Sequence, residues 1–348
     1  MTIQERIMNV LDRENAEMVP LGAYSFLLPR GREERWFRNR GCGLFHFEKA
    51  YTTYLEGIKV CTWEVKEAGG VSLIRRYITP VGELSEVIRS DPGYHSQWIR
   101  EHLIKEAKDY EVARFLVEHT YYEPNYGVFQ EIRDNLGEDG VLIANMDRTP
   151  FQKVLIELAG PERLCLDLVD HPGVVEDLLE ALAIKQDEMH RISIGSPAVI
   201  IHTWDNVTEE ITSPRLFERY CLPQYQRLST LIHQQKKLFM VHLDGKLAHL
   251  ERLIDQSGID IIESLSLPDV GGNISPDQLC DIWPDKAIMA NVPAFLCFQS
   301  PAFIDRYIRE LVSMIPRQRF MFCISEDLPP AFWRKAISAI MKSLKQQG

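Results

Sequence analysis

From residue 141 onward, short apolar runs recur along the chain, and each is separated from the next by loop and helix-forming sequence. The runs cover residues 141–145, 198–202, 238–242, 259–263, 286–291 and 319–324. Strands that are apolar on both faces belong to parallel sheets with helices packed on each side. Two further strand-like segments, 18–24 and 58–64, bring the count to eight. Eight strands alternating with helices predict an α/β fold, a single-domain (β/α)8 TIM barrel over residues 1–348.

The remaining segments are predicted to form elements that are added to that barrel. Apolar residues recur at helical spacing in 3–14, which predicts an amphipathic N-terminal helix. Residues 70–89 alternate like paired strands around a Gly-containing turn, which predicts a β-hairpin inserted after the second strand. Residues 109–137 are expected to be helical in two pieces, and the Arg-rich stretch 29–40 is expected to be irregular.

Helix entrances support this element order. A Ser or Thr cap followed by Pro at the first helical position occurs at 149–150, 213–214, 275–276 and 300–301. Ser275 and Gln278 also have the spacing of a capping box. A doubly wound sheet is the competing architecture, but no Gly-x-Gly-x-x-Gly sequence follows any of the apolar runs. The barrel is therefore the better prediction.

Composition excludes several classes of protein. The formal net charge is −11, and the basic residues are scattered among acidic ones, so a nucleic-acid binder is not indicated. No apolar run approaches the roughly 20 residues that span a bilayer, and the first residues lack the pattern of a signal peptide. The 7 cysteines include no Cys-x-x-Cys pair. We expect a cytoplasmic protein without structural disulfides.

Polar side chains collect where the predicted strands end. Active sites of (β/α)8 barrels form at the carboxyl ends of the strands. Those ends carry Tyr24, Asn145, Asp147, His202, Asp205, His242, Asp244, Glu263, Asn291 and Glu326. His242 and Asp244 are two residues apart at the end of one run, so a strand would point both side chains the same way. That spacing is typical of a pair of metal ligands, although a structural hydrogen bond explains it equally well.

Several motifs, taken in their order along the chain, resemble the uroporphyrinogen decarboxylase superfamily. They are Glu5-Arg-Ile-Met-Asn-Val-Leu11 leading to Val19-Pro20, Thr79-Pro-Val-Gly-Glu-Leu84, Ser213-Pro-Arg-Leu-Phe-Glu-Arg-Tyr220 with Leu222-Pro223, His242-Leu-Asp-Gly245, Ala290-Asn-Val-Pro293 and Ser325-Glu-Asp-Leu-Pro-Pro330. The resemblance spans nearly the whole chain and implies the same barrel fold. It also implies one of two chemistries, because the superfamily contains decarboxylases that use no cofactor and corrinoid-dependent methyltransferases.

The resemblance favours the methyltransferase branch. Decarboxylases carry a Met-Arg-Gln-Ala-Gly-Arg signature after the first strand, and this chain reads Leu-Gly-Ala-Tyr-Ser-Phe-Leu-Leu-Pro-Arg over 21–30 instead. The methyltransferases hold zinc with His-x-Cys after strand five and a second Cys after strand eight. Here His242 is kept, Asp244 takes the first Cys position, and Glu326 falls at the second. Cys323 is the alternative third ligand.

Replacing thiolates by carboxylates makes a zinc site harder and better suited to an oxygen ligand than to sulfur. The resemblance thus implies one zinc per chain and a methoxylated substrate, an aryl methyl ether being the leading class. The methyl group would pass to the cobalt of a separate corrinoid (cobalamin) protein, because this chain has no corrinoid-binding Asp-x-His-x-x-Gly sequence. A metal-free decarboxylase of tetrapyrrole biosynthesis and a non-catalytic binding barrel remain as alternatives.

Supporting roles are expected for other strand-end residues. His202, Asp205 and Tyr24 are candidate catalytic residues, the first two for proton transfer. The residues expected to orient His242 or contact the substrate are Asn145, Trp204, Glu263 and Asn291. Trp36 and Trp63 are further candidates for an aromatic pocket wall, although core packing explains them equally well.

Overall fold

The computed structural model of the protein describes residues 1–12, 18–28, 30–67, 70–90, 96–315, 318–329 and 331–347. The chain forms two compact units. The barrel unit comprises Met1–Glu48, Tyr126–Asn145 and Ser196–Gly348, and the insert unit comprises Lys49–Asn125 and Met146–Gly195.

The described residues form the following elements. The strands are β1 (Leu21–Tyr24), β2 (Cys42–Glu48), β3 (Tyr51–Leu55), β4 (Lys59–Glu67), β5 (Gly70–Thr79), β6 (Gly82–Ser90), β7 (Gln97–Glu101), β8 (Thr120–Pro124), β9 (Gly140–Asn145), β10 (Ile200–Thr203), β11 (Leu238–His242), β12 (Ile261–Leu265), β13 (Ala287–Asn291) and β14 (Phe320–Ile324). The α-helices are α1 (Ile3–Leu11), α2 (Arg32–Arg38), α3 (Asp109–Glu118), α4 (Tyr126–Leu136), α5 (Pro150–Lys153), α6 (Pro161–Asp170), α7 (Pro172–Gly195), α8 (Pro214–Leu216), α9 (Leu222–Gln234), α10 (Glu251–Asp255), α11 (Leu279–Ile282), α12 (Pro301–Met314) and α13 (Trp333–Lys345). Short 3₁₀ turns cover Gly137–Asp139, Ala248–Leu250, Pro268–Val270, Pro276–Gln278 and Ala294–Phe298, and π turns cover Val154–Leu158 and Phe217–Cys221.

Eight parallel strands close into a barrel, in the order β1-β14-β13-β12-β11-β10-β9-β2. Helices flank the strands, so the predicted (β/α)8 fold is confirmed. Inside the barrel, alternate residues of the strands pack into one apolar cluster. It includes Phe45, Val141, Ile143, Ile200, Met240, Ile261, Met289 and Met321. This packed interior leaves the strand ends as the place for polar chemistry.

Helix α1 covers the amino-terminal end of the barrel. Its buried residues Ile7, Val10 and Leu11 belong to the same apolar cluster as the strands. A capping box fixes its start, since the Thr2 hydroxyl accepts from the Glu5 backbone N–H and the Glu5 carboxylate accepts from the Thr2 N–H. The N-terminal helix is therefore confirmed as far as its last described turn, and residues 13–17 lie outside the described residues.

The second barrel strand was predicted wrongly. It is β2, at Cys42–Glu48, whereas residues 58–64 lie mostly in β4 of an antiparallel sheet. The alternating pattern of 58–64 is typical of a strand with one face in solvent, as β4 is. The run in β2 is interrupted by Gly43, which obscures its apolar character, but a Cβ there would lie 2.2 Å from Ile7 Cδ1.

Other local predictions had mixed outcomes. Strands β5 and β6 confirm the hairpin, and α3 and α4 confirm the two helical pieces, although β8 lies between them. The Arg-rich stretch contains helix α2, so its expected irregularity is wrong for that part.

Ser213 and Ser300 cap their helices through hydrogen bonds from backbone N–H groups. Ser275 instead donates its hydroxyl to Asp277, so the predicted capping box is absent there.

The insert unit contains two small sheets and four α-helices, α3, α5, α6 and α7, among its described residues. Strands β3 and β8 form an antiparallel pair, and β4 to β7 form a four-stranded antiparallel sheet. Helices α3 and α7 pack against each other, and α3 also contacts β5 and β6. Among the described residues of the whole chain, every helix is too short or too polar to span a bilayer.

The close approach of β2 and β9 gives a test of the barrel geometry. A Cβ on Gly140 would lie 2.1 Å from the Leu44 carbonyl oxygen, which is backbone and cannot rotate away. We expect Gly140→Ala to lower the free energy of unfolding by about 1–3 kcal/mol through overpacking. Urea unfolding followed by circular dichroism measures it. Gly127→Ala is the matched control, because nothing lies within 4 Å of that Cβ and alanine favours helix α4. Equal stability of the two variants would contradict the strand register.

Candidate functional site

One buried carboxylate, Glu263 on β12, connects side chains from three other barrel strands. His242 on the neighbouring β11 donates from Nδ1 to Glu263 Oε2 over 2.6 Å. The hydroxyl of Tyr24, on β1, donates to Glu263 Oε1. His202 Nε2, on β10, lies 3.5 Å from Glu263 Oε2. Because Glu263 is fully buried, these contacts replace the water that an ionised carboxylate needs.

The ionisation states of His242 and Glu263 depend on each other. Burial by itself lowers the pKa of His242, but the charges of Glu263 and Asp244 and their hydrogen bonds outweigh it and raise that pKa to about 10. Burial raises the pKa of Glu263, yet the charge and hydrogen bond of His242, together with the nearby His202 ring, bring it down to about 2. In the ligand-free protein at neutral pH, the pair is therefore imidazolium and carboxylate.

The second nitrogen of His242 faces a more open part of the site. His242 Nε2 lies 3.3 Å from Asp244 Oδ2, and Asp244 keeps 34% of its side chain exposed. Asn206 Nδ2 donates to the same oxygen over 2.9 Å. Burial would raise the pKa of Asp244, but the His242 charge and these hydrogen bonds lower it. His242 and Asp244, the two residues predicted to form a pair, therefore contact each other.

Glu326 completes a group of acidic side chains around His242. Partial burial and the charge of Asp244 raise the pKa of Glu326, although the residue is exposed to solvent, while the His242 charge opposes the rise. The carboxylates of Asp244 and Glu326 therefore repel each other, and the His242 charge attracts both. Such an arrangement becomes more stable when a cation lies between the carboxylates.

His202 is held as a neutral imidazole. Its Nδ1 lies 3.1 Å from Asn145 Oδ1, so Asn145 orients the ring. Burial lowers the pKa of His202, which keeps the ring uncharged. Its Nε2 is buried and has no hydrogen-bond partner among the described residues. Ligand atoms of His202, His242 and Glu263 all lie within 4.8 Å of one another, so among the described residues these three form the group whose donors are close enough to hold one metal ion.

Aromatic rings form one wall of the site around Trp204. The Trp204 ring centroid lies 4.6 Å from Phe47, 4.5 Å from His202 and 5.2 Å from His242. Tyr24 packs edge-on against it at 5.6 Å. Phe47 was missed at the sequence level because β2 was not assigned as a barrel strand. Trp36 lies elsewhere, on α2 under the Arg40 guanidinium, and Trp63 lies on β4.

A strained serine lies beside the site and was also missed. Ser264 has φ +60°, which is uncommon for a residue with a Cβ, and the register of β12 against β13 shifts between Ile262 and Leu265. Its hydroxyl lies 2.8 Å from Ser325 Oγ, and Ser325 donates to Asn291 Oδ1 over 3.0 Å. This chain of hydrogen bonds positions Asn291, one of the predicted site residues. In the sequence, the only signal for this hydrogen-bonded chain is that its residues are polar and lie at the ends of predicted strands.

The chain is similar to known proteins both in sequence and in fold. Residues 99–347, well over half of the chain, match the family model described as uroporphyrinogen decarboxylase (URO-D). The chain belongs to the uroporphyrinogen decarboxylase family. Among solved structures it is similar to a methyltransferase from Methanosarcina mazei, with a TM-score of 0.60 and 10% identity over 100% of this chain and 99% of that chain. At that identity the likeness shows the fold alone. No curated protein matches the chain.

The remaining predicted residues of this URO-D family member lie in different places. Asp205 is fully buried and accepts a hydrogen bond from the Tyr225 hydroxyl over 2.6 Å. Asp147 belongs to the insert unit, where it pairs with Lys153. Cys323 packs in the apolar cluster inside the barrel, and burial raises the pKa of its thiol well above the ordinary value. Cys323 and Glu326 therefore both remain candidates for the third metal ligand.

The His242 and Glu263 pair predicts a specific pH dependence of metal-free protein. His242, with a folded pKa near 10 against an ordinary 6.5, adds stability that is complete below pH 6.5 and is lost as pH rises to 10. Glu263, with a folded pKa near 2 against 4.5, adds stability that is complete above pH 4.5 and is lost as pH falls to 2. The pair thus stabilises the fold most between pH 4.5 and 6.5.

We expect Glu263→Gln to bring the pKa of His242 down toward its ordinary value, since the amide removes the nearest negative charge. Titration of ¹³C-labelled histidines by NMR, with a chelator present, measures that pKa directly. Glu209→Gln is the control, because Glu209 pairs with a different histidine, the exposed His249. A His242 pKa that is the same in both variants would show that Glu263 does not hold the charge.

Proposed function

We propose that this chain is a corrinoid-dependent methyltransferase that moves a methyl group between an aryl methyl ether and the cobalt of a separate corrinoid protein, with one zinc ion activating the substrate oxygen. The observation that carries the proposal is the environment of His242. One ring nitrogen is bonded to the buried Glu263, and the other faces Asp244 in a more open part of the site. Metal-binding imidazoles in proteins usually have this arrangement.

The donor set fits a divalent cation of this kind. His242 Nε2, Asp244 and Glu326 supply one imidazole and two carboxylates, which zinc accepts, and three protein ligands leave a position for substrate. The raised pKa of Glu326, caused by burial and by Asp244, is relieved by a cation. When bound, zinc acts as a Lewis acid on the ether or phenol oxygen. Cleaving a methyl ether needs such help, because a phenoxide leaves poorly.

The other residues of the site position the substrate and hold its protons. The ring of an aryl ether fits the aromatic wall of Trp204, Phe47 and Tyr24. His202 is the group placed to move a proton, since burial keeps its ring neutral and its buried Nε2 lacks a hydrogen-bond partner among the described residues. Glu263 fixes the ring of His242 through Nδ1, so that Nε2 faces the site.

The metal-free decarboxylase fits this site less well. Its substrate carries several carboxylates, and the side chains that set the local charge include Glu263, Asp244 and Glu326. Three acidic groups repel such a substrate unless a cation is present. Family membership is shared by both chemistries, so it does not separate them. The similarity in fold to a methyltransferase is compatible with the proposal.

The metal hypothesis is tested by composition of the purified protein. We expect elemental analysis to find about one zinc per chain in the wild type. The affinity for zinc should be at least tenfold lower in His242→Ala and in Asp244→Asn, because each variant loses a direct ligand. His171→Ala, on the exposed surface of the insert unit, is the matched histidine control and should keep its zinc. Glu326→Gln and Cys323→Ala then separate the two candidates for the third ligand. A wild type that binds no zinc would overturn the proposal.

The reaction is tested with cob(I)alamin and a panel of methoxylated aromatic compounds, following methylcobalamin formation by its absorbance. We expect His202→Gln to slow methyl transfer by about a hundredfold or more, since proton transfer contributes that much, while zinc content is unchanged. Loss of zinc from His202→Gln would instead place the metal on His202, His242 and Glu263. No transfer by the wild type from any of the methoxylated compounds would contradict the substrate class.

A further inference from the structure

The loop that follows β10, residues 204–213, contains an asparagine in an uncommon backbone conformation. Asn206 has φ +47°, in the left-handed region that residues with a Cβ rarely occupy. Asparagine enters this region at a lower cost than most residues, but the conformation still has to be held by the surrounding structure. The contacts of its side chain therefore indicate what the conformation is for.

The side chain of Asn206 contacts the carboxylate of Asp244. Asn206 Nδ2 donates to Asp244 Oδ2 over 2.9 Å, and the same oxygen lies 3.3 Å from His242 Nε2. One carboxylate oxygen therefore lies between an amide donor and the imidazole. Asp244 keeps 34% of its side chain exposed, so without the amide its carboxylate could turn toward solvent. The amide holds the carboxylate in the orientation that faces His242.

Backbone hydrogen bonds join this loop to the loop that follows β11, residues 243–247. The Gly245 N–H donates to the Val207 carbonyl over 3.1 Å, and the Glu209 N–H donates to the Lys246 carbonyl over 2.9 Å. These bonds continue the pairing of β10 with β11 beyond the ends of the two strands. The loop that carries the amide and the loop that carries the carboxylate therefore lie side by side.

Close packing and a buried hydrogen bond fix the position of the first loop. A Cβ on Gly245 would lie 2.6 Å from the Val207 carbonyl oxygen, so only glycine allows the two loops to approach this closely. The Tyr225 hydroxyl on α9 donates to Oδ2 of the fully buried Asp205 over 2.6 Å. Asp205 directly precedes Asn206, so the backbone that leads into the left-handed residue is held from both sides.

An amide is well suited to orient a carboxylate beside a cation. A lysine or arginine could donate the same hydrogen bond, but its charge would repel a cation bound by the carboxylate. The amide is neutral, and it uses one of about four acceptor positions that an ionised carboxylate offers. The remaining positions stay open to a metal ion. Carboxylates that bind metals in proteins are commonly held by such a hydrogen bond.

We propose that Asn206 is a positioning residue, which holds Asp244 in the orientation in which its carboxylate and His242 Nε2 bind the same cation. The inference rests on the metal site proposed above and adds a residue that the sequence did not single out. Its left-handed backbone places the amide on Asp244, and the paired loops keep it there.

The test removes the amide and keeps the backbone. Asn206→Gly loses the donor, while glycine adopts the left-handed conformation freely. We expect its zinc affinity, measured by competition with a chromophoric chelator, to fall by about 10- to 100-fold, the usual effect of losing the hydrogen-bond partner of a metal ligand. Lys236→Gly is the matched control, because Lys236 has φ +56° at an exposed position after α9, and it should bind zinc as the wild type does. Urea unfolding of the zinc-free variants checks that each keeps its fold.

A double-mutant cycle shows whether Asn206 acts through Asp244. In an Asp244→Ala background, Asn206→Gly should cause no further loss of zinc affinity, because the carboxylate that it positions is absent. A general loosening of the loop would instead lower the affinity by the same factor in both backgrounds. The cycle therefore separates positioning of Asp244 from a purely structural role.

Two results would overturn the inference and leave the metal site in place. They are equal zinc affinities of the wild type and Asn206→Gly, and an equal loss from Asn206→Gly in the wild-type and Asp244→Ala backgrounds. A wild type that binds no zinc would instead overturn the proposed function, and this inference with it. The two failures are therefore distinguished by the wild type alone.

Discussion

The site depends on keeping the Glu263 carboxylate ionised inside the barrel. An isolated buried carboxylate is too costly to remain charged, so its partners decide whether the arrangement exists at all. Those partners come from β1, β10 and β11, and β1 reaches Glu263 from three strands away in the sheet order. Barrel closure is what delivers Tyr24 to this carboxylate. The ionised carboxylate of Glu263 therefore requires the closed barrel.

The barrel was predictable from the sequence because strands that are apolar on both faces produce a strong and repeated signal. The same signal failed at β2, where Gly43 interrupts the run and where the neighbouring segment 58–64 offers a clearer alternation. Gly43 is there for a packing reason that no pattern reveals, namely the approach of Ile7 from helix α1. One error in strand assignment also hid Phe47, which packs against Trp204.

The candidate site was predictable as a set of strand ends, but its contacts were not. His242 and Glu263 meet because β11 and β12 pair in register, which the element order implies. Asp205 lies at a strand end as well, yet its carboxylate is bonded to Tyr225 from a helix behind the strand. Which end residue faces which neighbour depends on side-chain direction and on irregularities such as the positive φ of Ser264. Neither is encoded in the spacing of residue types.

In the proposed metal site, metal binding and protonation would compete for one nitrogen of His242. Without a metal, its pKa near 10 means that Nε2 carries a proton toward Asp244 at neutral pH. A cation can bind there only as that proton leaves, so the strong buried pair with Glu263 reduces metal affinity at low pH. The same pair raises the basicity of the ring, which strengthens a bond to metal once the proton has gone. In the proposed site, Glu263 would therefore make a metal harder to bind while His242 is protonated and harder to lose once bound, and the carboxylates of Asp244 and Glu326 would favour the cation over the proton.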